Sequence, residues 1–246
     1  DPQLLPSLRT FDRNEESDSS SWREYSSLNQ LLKENIRHIL LLGDGGQGKT
    51  SSLKYEYYCA LTKQRKEARC VYVPLRLFKA TDTVTTNDIR QYIDKTVGTP
   101  IRFPFDDTPT TVFLDGYDEI PYKNQSFENS FFRSLNALSE SDNERFIISS
   151  RYEPACLTAP LPGEGAMPVF VLAQALPLTE SVIRLYLESA FGAETPFITS
   201  ENVLTLLSSP MMLVLFVGIK WESNASWSDL NESRLIRCYL RQMFGN

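Results

Sequence analysis

His38-Ile39-Leu40-Leu41-Leu42-Gly43-Asp44-Gly45-Gly46-Gln47-Gly48-Lys49-Thr50 is an apolar run that ends in a loop of the pattern G-x-x-x-x-G-K-T. The apolar run reads as a buried strand, about 37–42, and Thr50-Ser51-Ser52-Leu53-Lys54-Tyr55 as the opening of a helix reaching about Thr62. Between a strand and a helix, this spacing forms a phosphate-binding P-loop. Glycines let the backbone curl, so that the N–H groups of Gly43, Asp44, Gly45, Gly46, Gln47 and Gly48 converge on phosphate oxygens. Lys49 then reaches the β- and γ-phosphates and the Thr50 hydroxyl ligates Mg²⁺. Through Thr50 and Ser51, the helix start adds the positive end of its dipole.

Two further strand ends complete a candidate site. Thr110-Thr111-Val112-Phe113-Leu114-Asp115 is an apolar strand that delivers Asp115 beside the P-loop, where a carboxylate holds Mg²⁺ directly or through water. Asp118 and Glu119, just beyond, are placed to orient or deprotonate an attacking water. Arg145-Phe146-Ile147-Ile148-Ser149-Ser150 is another buried strand, and it ends at Arg151, a group suited to a γ-phosphate. In open α/β sheets such strand ends line the ligand crevice.

Strands alternate with helices along most of the chain. Cys70 to Leu77 reads as a strand, with Pro74 placing it near a sheet edge or a bulge. A helix around Asn87–Ile93 ends at Gly98-Thr99-Pro100, and another carries Phe127, Phe131, Phe132, Leu135 and Leu138. Val169-Phe170-Val171-Leu172 follows Pro-rich loops as a fifth strand. The expectation is an α/β P-loop NTPase with a five-stranded, mainly parallel sheet, followed by a small all-α helical domain. Its parts are a polar lead-in or linker over 1–20, a nucleotide-binding domain over 21–175 and helices over 176–246. Ser21-Trp22-Arg23-Glu24 has capping-box spacing and predicts a helix with Trp22, Tyr25, Leu28 and Leu32 on one face.

Composition narrows the function classes. The 246 residues carry a net charge of −6, which argues against a nucleic-acid or anionic-membrane surface. Lys63 to Arg69 is the one basic run and reads as a solvated loop. Cys59, Cys70, Cys156 and Cys238 lack C-x-x-C spacing and His38 is the only histidine, so neither a zinc site nor a disulfide framework is expected, and a reducing cytoplasm fits. Met211 to Ile219 is too short to span a bilayer. The missing initiator Met and the end at Gly245-Asn246 suggest a piece of a longer protein.

Gly43 to Thr50, then Leu114-Asp115-Gly116-Tyr117-Asp118-Glu119, then Ser149-Ser150-Arg151 resemble NACHT domains, signal-transducing ATPases of the AAA+-related STAND class. Leu176 to Leu187 is similar to that family's link into its helical domain. Leu206-Leu207-Ser208-Ser209-Pro210-Met211-Met212-Leu213 resembles the segment whose proline contacts the nucleotide. Together these cover about 37–240. The family's winged-helix domain and its phosphate-contacting histidine have no counterpart, since His38 precedes the P-loop. The resemblance implies ATP/ADP and Mg²⁺ as ligands, slow hydrolysis, self-association, and flanking sensor and effector domains in a signalling or immune-defence protein. Two other classes stand beside it: an ADP-locked interaction module without turnover, and a motor or metabolic P-loop enzyme. Against the last, the chain has no N-K-x-D base reader and no L-S-G-G-Q segment.

Overall fold

The computed structural model describes residues 4–12, 21–34, 36, 38–62, 69–79, 82–97, 109–121, 123–138, 144–152, 170–196, 198–221, 227 and 230–245. It divides into two compact units, one of Leu8–Asp44 with Lys49–Ala175 and one of Asp1–Ser7 with Gly45–Gly48 and Leu176–Asn246. The first unit holds a seven-stranded sheet. Its strands are β1 Leu8–Asp12, β2 Ser21–Tyr25, β3 His38–Leu42, β4 Arg69–Pro74, β5 Thr110–Asp115, β6 Glu144–Ser150 and β7 Phe170–Ala175, in the order β2-β1-β7-β3-β6-β5-β4. From β7 to β4 all neighbours run parallel. β1 is antiparallel to both β7 and β2.

The sheet is therefore mixed and larger than the five strands expected, and two sequence readings need correcting. Residues 8–12, expected within a polar lead-in over 1–20, form β1, and Leu8 is fully buried. Ser21 opens β2 where a helix was expected. The physical reason lies in the edge of β7, whose unpaired backbone groups would otherwise be exposed. β1 pairs with it from Leu8–Ala175 to Thr10–Ala173, and β2 pairs with β1 from Leu8–Tyr25 to Asp12–Ser21. The helix begins later, at α1 Leu28–Lys33, where Ser27 accepts from Gln30 N as N-cap. Pro74 sits at the end of the edge strand β4, as its missing N–H requires.

β3 is buried along its whole length, as a central parallel strand covered on both faces should be. Successive residues face opposite layers. Leu40, Leu42, Val112, Leu114, Phe146 and Ile148 enter one core with Ile89 and Ile93 of α3 (Thr86–Val97) and Phe127, Phe131, Phe132 and Leu135 of α4 (Gln125–Leu138). Ile39, Leu41, Phe113 and Ile147 enter the other, against Leu28 and Leu31 of α1 and Leu53 of α2 (Lys49–Thr62). His38 belongs to packing: it lies between Phe146 and Phe170, and its Nδ1 accepts from Phe146 N at 3.0 Å.

Helices α5 Glu180–Phe191, α6 Glu201–Leu207, α7 Pro210–Gly218 and α8 Glu232–Phe244 build the second unit. Its core gathers Leu4, Leu178, Ile183, Leu187, Val203, Leu207, Leu213, Phe216 and Leu235. Pro210 stands in the first turn of α7, where a missing N–H costs nothing. No single helix among the described residues is long and apolar enough to cross a membrane; α6 and α7 pass together only as a pair bent by 102°. Cys59 and Cys238 are free thiols. Cys156, Lys63 to Lys66, the Gly98-Thr99-Pro100 stop, Val169 and the Pro-rich loops before it lie outside the described residues.

Candidate phosphate- and metal-binding site

β3 ends at Leu42 and α2 starts at Lys49, so the G-x-x-x-x-G-K-T loop joins a central strand to a helix N-terminus. Gly43 N donates to Ser150 O at 3.3 Å, which ties the loop's start to β6. Gly46 and Gly48 adopt φ of 79° and 82°, values that favour glycine at both turns. Lys49 folds back on the loop: its Nζ donates to the carbonyls of Gly43 at 2.5 Å and Asp44 at 2.9 Å. Burial lowers its pKa, opposed chiefly by the negative charge of Asp118 and more weakly by Asp44 and Asp115; Arg151 adds to the lowering. A half-buried ammonium held by two neutral carbonyls is a cation in want of an anion. The first turn of α2 contains Thr50 and Ser51 and no acidic residue, which suits the same anion.

Asp115 is buried at the end of β5 and is gripped by hydroxyls from three elements. Thr50 Oγ1 donates to Oδ1 at 3.0 Å from α2, and Ser149 Oγ donates to the same oxygen at 2.5 Å from β6. Tyr72 OH donates to Oδ2 at 2.5 Å from β4. Ser149 in turn accepts from Gly116 N at 2.9 Å. Burial raises the Tyr72 pKa, and the hydrogen bond and charge of Asp115 raise it further, so the phenol stays a donor. Hydroxyls can turn a lone pair to a cation while still donating, which lysine or arginine partners could not do. No cluster of three or more His, Cys, Asp or Glu among the described residues could hold a metal alone. That donor set fits Mg²⁺, an ion held by one or two carboxylates together with substrate phosphates and water.

After Asp115 the chain turns at Gly116, whose φ of 80° makes it the left-handed cap of a 3₁₀ turn over Tyr117–Glu119. A Cβ there would stand 3.0 Å from Glu119 Cδ, so Glu119 lies folded over the glycine. Tyr117 is driven into the core between Phe131 and Phe132. Asp118 meets Arg151: Oδ2 lies 3.1 Å from Nε, and Oδ1 accepts from Arg151 N at 3.1 Å. Thus Lys49, Thr50, Asp115, Asp118 and Arg151 are linked within one unit by short contacts or charge.

Gly45, Gly46, Gln47, Gly48 and Pro210 belong to the other unit. There the Gly46 carbonyl accepts from Met211 N at 3.3 Å and from Ser209 Oγ at 3.4 Å. A Cβ on Gly48 would lie 3.7 Å from Pro210 Cγ and 3.1 Å from Pro6 Cδ. Tyr72 and Pro6 are neighbours that motif reading left out, and Ser149, quoted there at a strand end, was given no role of its own. Tyr72 pairs in register with Phe113, so Asp115 is its diagonal neighbour on the same sheet face. Only the strand pairing reveals that.

The G-x-x-x-x-G-K-T loop between a central parallel strand and a helix gives the chain a P-loop NTPase fold. No protein-family model matches the chain, and no curated protein matches it by sequence. Among solved structures it is similar to domain III of the replication initiation protein DnaA from Thermotoga maritima, with a TM-score of 0.47 and 14% identity over 89% of this chain and 90% of that one. It is similar to Cdc6p from Pyrobaculum aerophilum, with a TM-score of 0.45 and 16% identity over 78% of this chain and 58% of that one. A third is a signal transduction ATPase with numerous domains (STAND) bearing a tetratricopeptide repeat sensor from Pyrococcus horikoshii, with a TM-score of 0.46 and 13% identity over 88% of this chain. This chain spans 31% of that protein's length and somewhat over half of the Cdc6p chain.

Proposed function

We propose that this chain is the nucleotide-binding core and first helical domain of a NACHT-type molecular switch of the STAND class, acting in the cytoplasm. It binds ATP with Mg²⁺, hydrolyses it slowly, and returns to an ADP-bound state. In the larger protein, self-association follows the nucleotide state, and flanking sensor and effector domains carry signalling or immune defence. The observation that supports this most is the Thr50–Asp115 hydrogen bond, which joins the P-loop helix to the end of β5 across 65 residues of sequence.

The backbone N–H groups from Gly43 to Gly48, with Thr50 and Ser51 at the helix start, receive phosphate oxygens. Lys49 leaves its two carbonyls for the phosphates, exchanging neutral acceptors for charged ones. Thr50 and Asp115 hold Mg²⁺, which when bound supplies charge neutralisation on the phosphates. Glu119 takes the proton of the attacking water, with Asp118 next in line, and Arg151 binds the γ-phosphate. Pro210 packs by the nucleotide. The Arg151–Asp118 pair also favours a second reading, an ADP-locked module, because each group there satisfies the other.

Titration calorimetry with ATP and ADP, with and without Mg²⁺, joined to a phosphate-release assay, tests both. The switch predicts Mg²⁺-dependent ATP binding with slow release of phosphate. Binding of ADP with no release at all selects the locked module. Absence of binding to either nucleotide removes both readings.

A further inference from the structure

Asp115 offers two carboxylate oxygens, and the three hydroxyls divide them unequally. Thr50 and Ser149 share Oδ1, while Oδ2 receives Tyr72. The phenol comes from β4, an edge strand with no part in the P-loop or the acidic turn. Its ring is met by Tyr57 at 5.9 Å between centroids and by the Lys54 ammonium at 5.8 Å, both from α2. β4 and α2 therefore place the donor, and its bond to Oδ2 opposes rotation of the carboxylate about its Cβ–Cγ bond. A carboxylate with only Oδ1 held could turn its plane and carry Oδ1 off the Thr50 hydroxyl.

We infer that Tyr72 is a positioning residue for the metal site: by binding Oδ2 it sets the plane of the Asp115 carboxylate, so that Oδ1 stays on Thr50. This rests on the proposed reading of Asp115 and Thr50 as the Mg²⁺-holding pair. Tyr72 touches neither metal nor nucleotide in this scheme, and its effect passes through Asp115 alone. Two consequences separate that role from simple packing. Loss of the phenol oxygen weakens metal affinity without weakening metal-free nucleotide binding. The effect vanishes once residue 115 can no longer hold the metal.

The test uses Mn²⁺ and ADP on the whole chain, with bound Mn²⁺ read by electron paramagnetic resonance and metal-free ADP affinity by calorimetry. Tyr72→Phe keeps the ring against Tyr57 and Lys54, and Tyr72→Leu is a second variant should Phe fold poorly. Tyr72→Phe should weaken Mn²⁺ binding to the ADP complex roughly three- to tenfold, the size of one lost hydrogen bond, with metal-free ADP affinity unchanged. In an Asp115→Asn background the same change should have no further effect on Mn²⁺. Parental Mn²⁺ binding in Tyr72→Phe, with Asp115→Asn impaired, overturns the role of Tyr72 and leaves the site reading intact. Additive losses overturn it too, because Tyr72 would then act by a route other than Asp115. Parental Mn²⁺ binding in Asp115→Asn itself overturns the site reading.

Discussion

Asp115 and Asp118 stand three residues apart and live in opposite regimes. Asp115 is buried and held by three neutral hydroxyls from α2, β4 and β6. Asp118 sits on the turn beyond, 13% exposed itself, and is held by Arg151, through a backbone N–H and a side chain that is 65% exposed. Neutral donors fix a carboxylate's direction and leave its charge uncompensated; an exposed arginine compensates the charge but is screened and free to leave. The first arrangement suits a group that must be in place before a ligand arrives. The second suits a group that changes partner when the ligand does. Lys49 lies in the field of both.

Removing that shared cation should have the largest effect. Lys49→Ala is expected to lower ATP affinity by about a thousandfold, from the loss of charge-assisted contacts to two phosphates. It should not lower the melting temperature of the nucleotide-free chain, because half-burying the ammonium disfavours its charged form. Unchanged ATP affinity in a folded variant, read by titration calorimetry, would remove the P-loop assignment.

The two carboxylates should part company in stability. Asp115→Ala strands three buried or half-buried hydroxyls and should cost about 3 kcal/mol in urea unfolding. Asp118→Ala breaks a pair whose arginine is mostly exposed and frees one backbone N–H, and should cost about 1 kcal/mol, well below Asp115→Ala. Equal costs would erase the distinction between a fixed and an exchangeable group. Glu119→Gln should keep ATP bound and slow its hydrolysis roughly a hundredfold, since the amide keeps the shape and loses the basicity. Hydrolysis at the parental rate would pass that role to Asp118. Arg151→Ala should lower ATP affinity about tenfold and leave ADP affinity within about twofold, by loss of one charged contact. Equal losses for both nucleotides would assign Arg151 to packing or to the β-phosphate.

Legibility followed burial. The central strands β3, β5 and β6 were readable because strands covered on both faces are near-continuous apolar runs, and Ile39 to Leu42 is the plainest case. β1 and β2, the antiparallel pair beyond β7, were not, because Arg9, Arg23 and Glu24 interrupt their apolar pattern. The capping-box pattern misled at Ser21 yet was correct in kind six residues later: Ser27 accepts from Gln30 N, and Gln30 Oε1 accepts from Ser26 N. In the site, Thr50 and Asp115 were read from motif spacing, and the structure brings them together. Tyr72 and Ser149 act on Asp115 through strand pairing and register, which local sequence does not encode.

Tyr117 carries a consequence for timescale. It is fully buried against two rings of α4, and Lys123 lies over its face and donates to its carbonyl. The turn that bears Asp118 and Glu119 is thereby nailed to an aromatic layer that would have to repack before the backbone could move. Response at this end of the sheet therefore belongs to side-chain rotation of Arg151 and Glu119, on the picosecond-to-nanosecond scale, and not to the microsecond-to-millisecond rearrangement of a loop. Under the proposed function, a nucleotide arriving here would meet a fixed platform with two fast pointers on it.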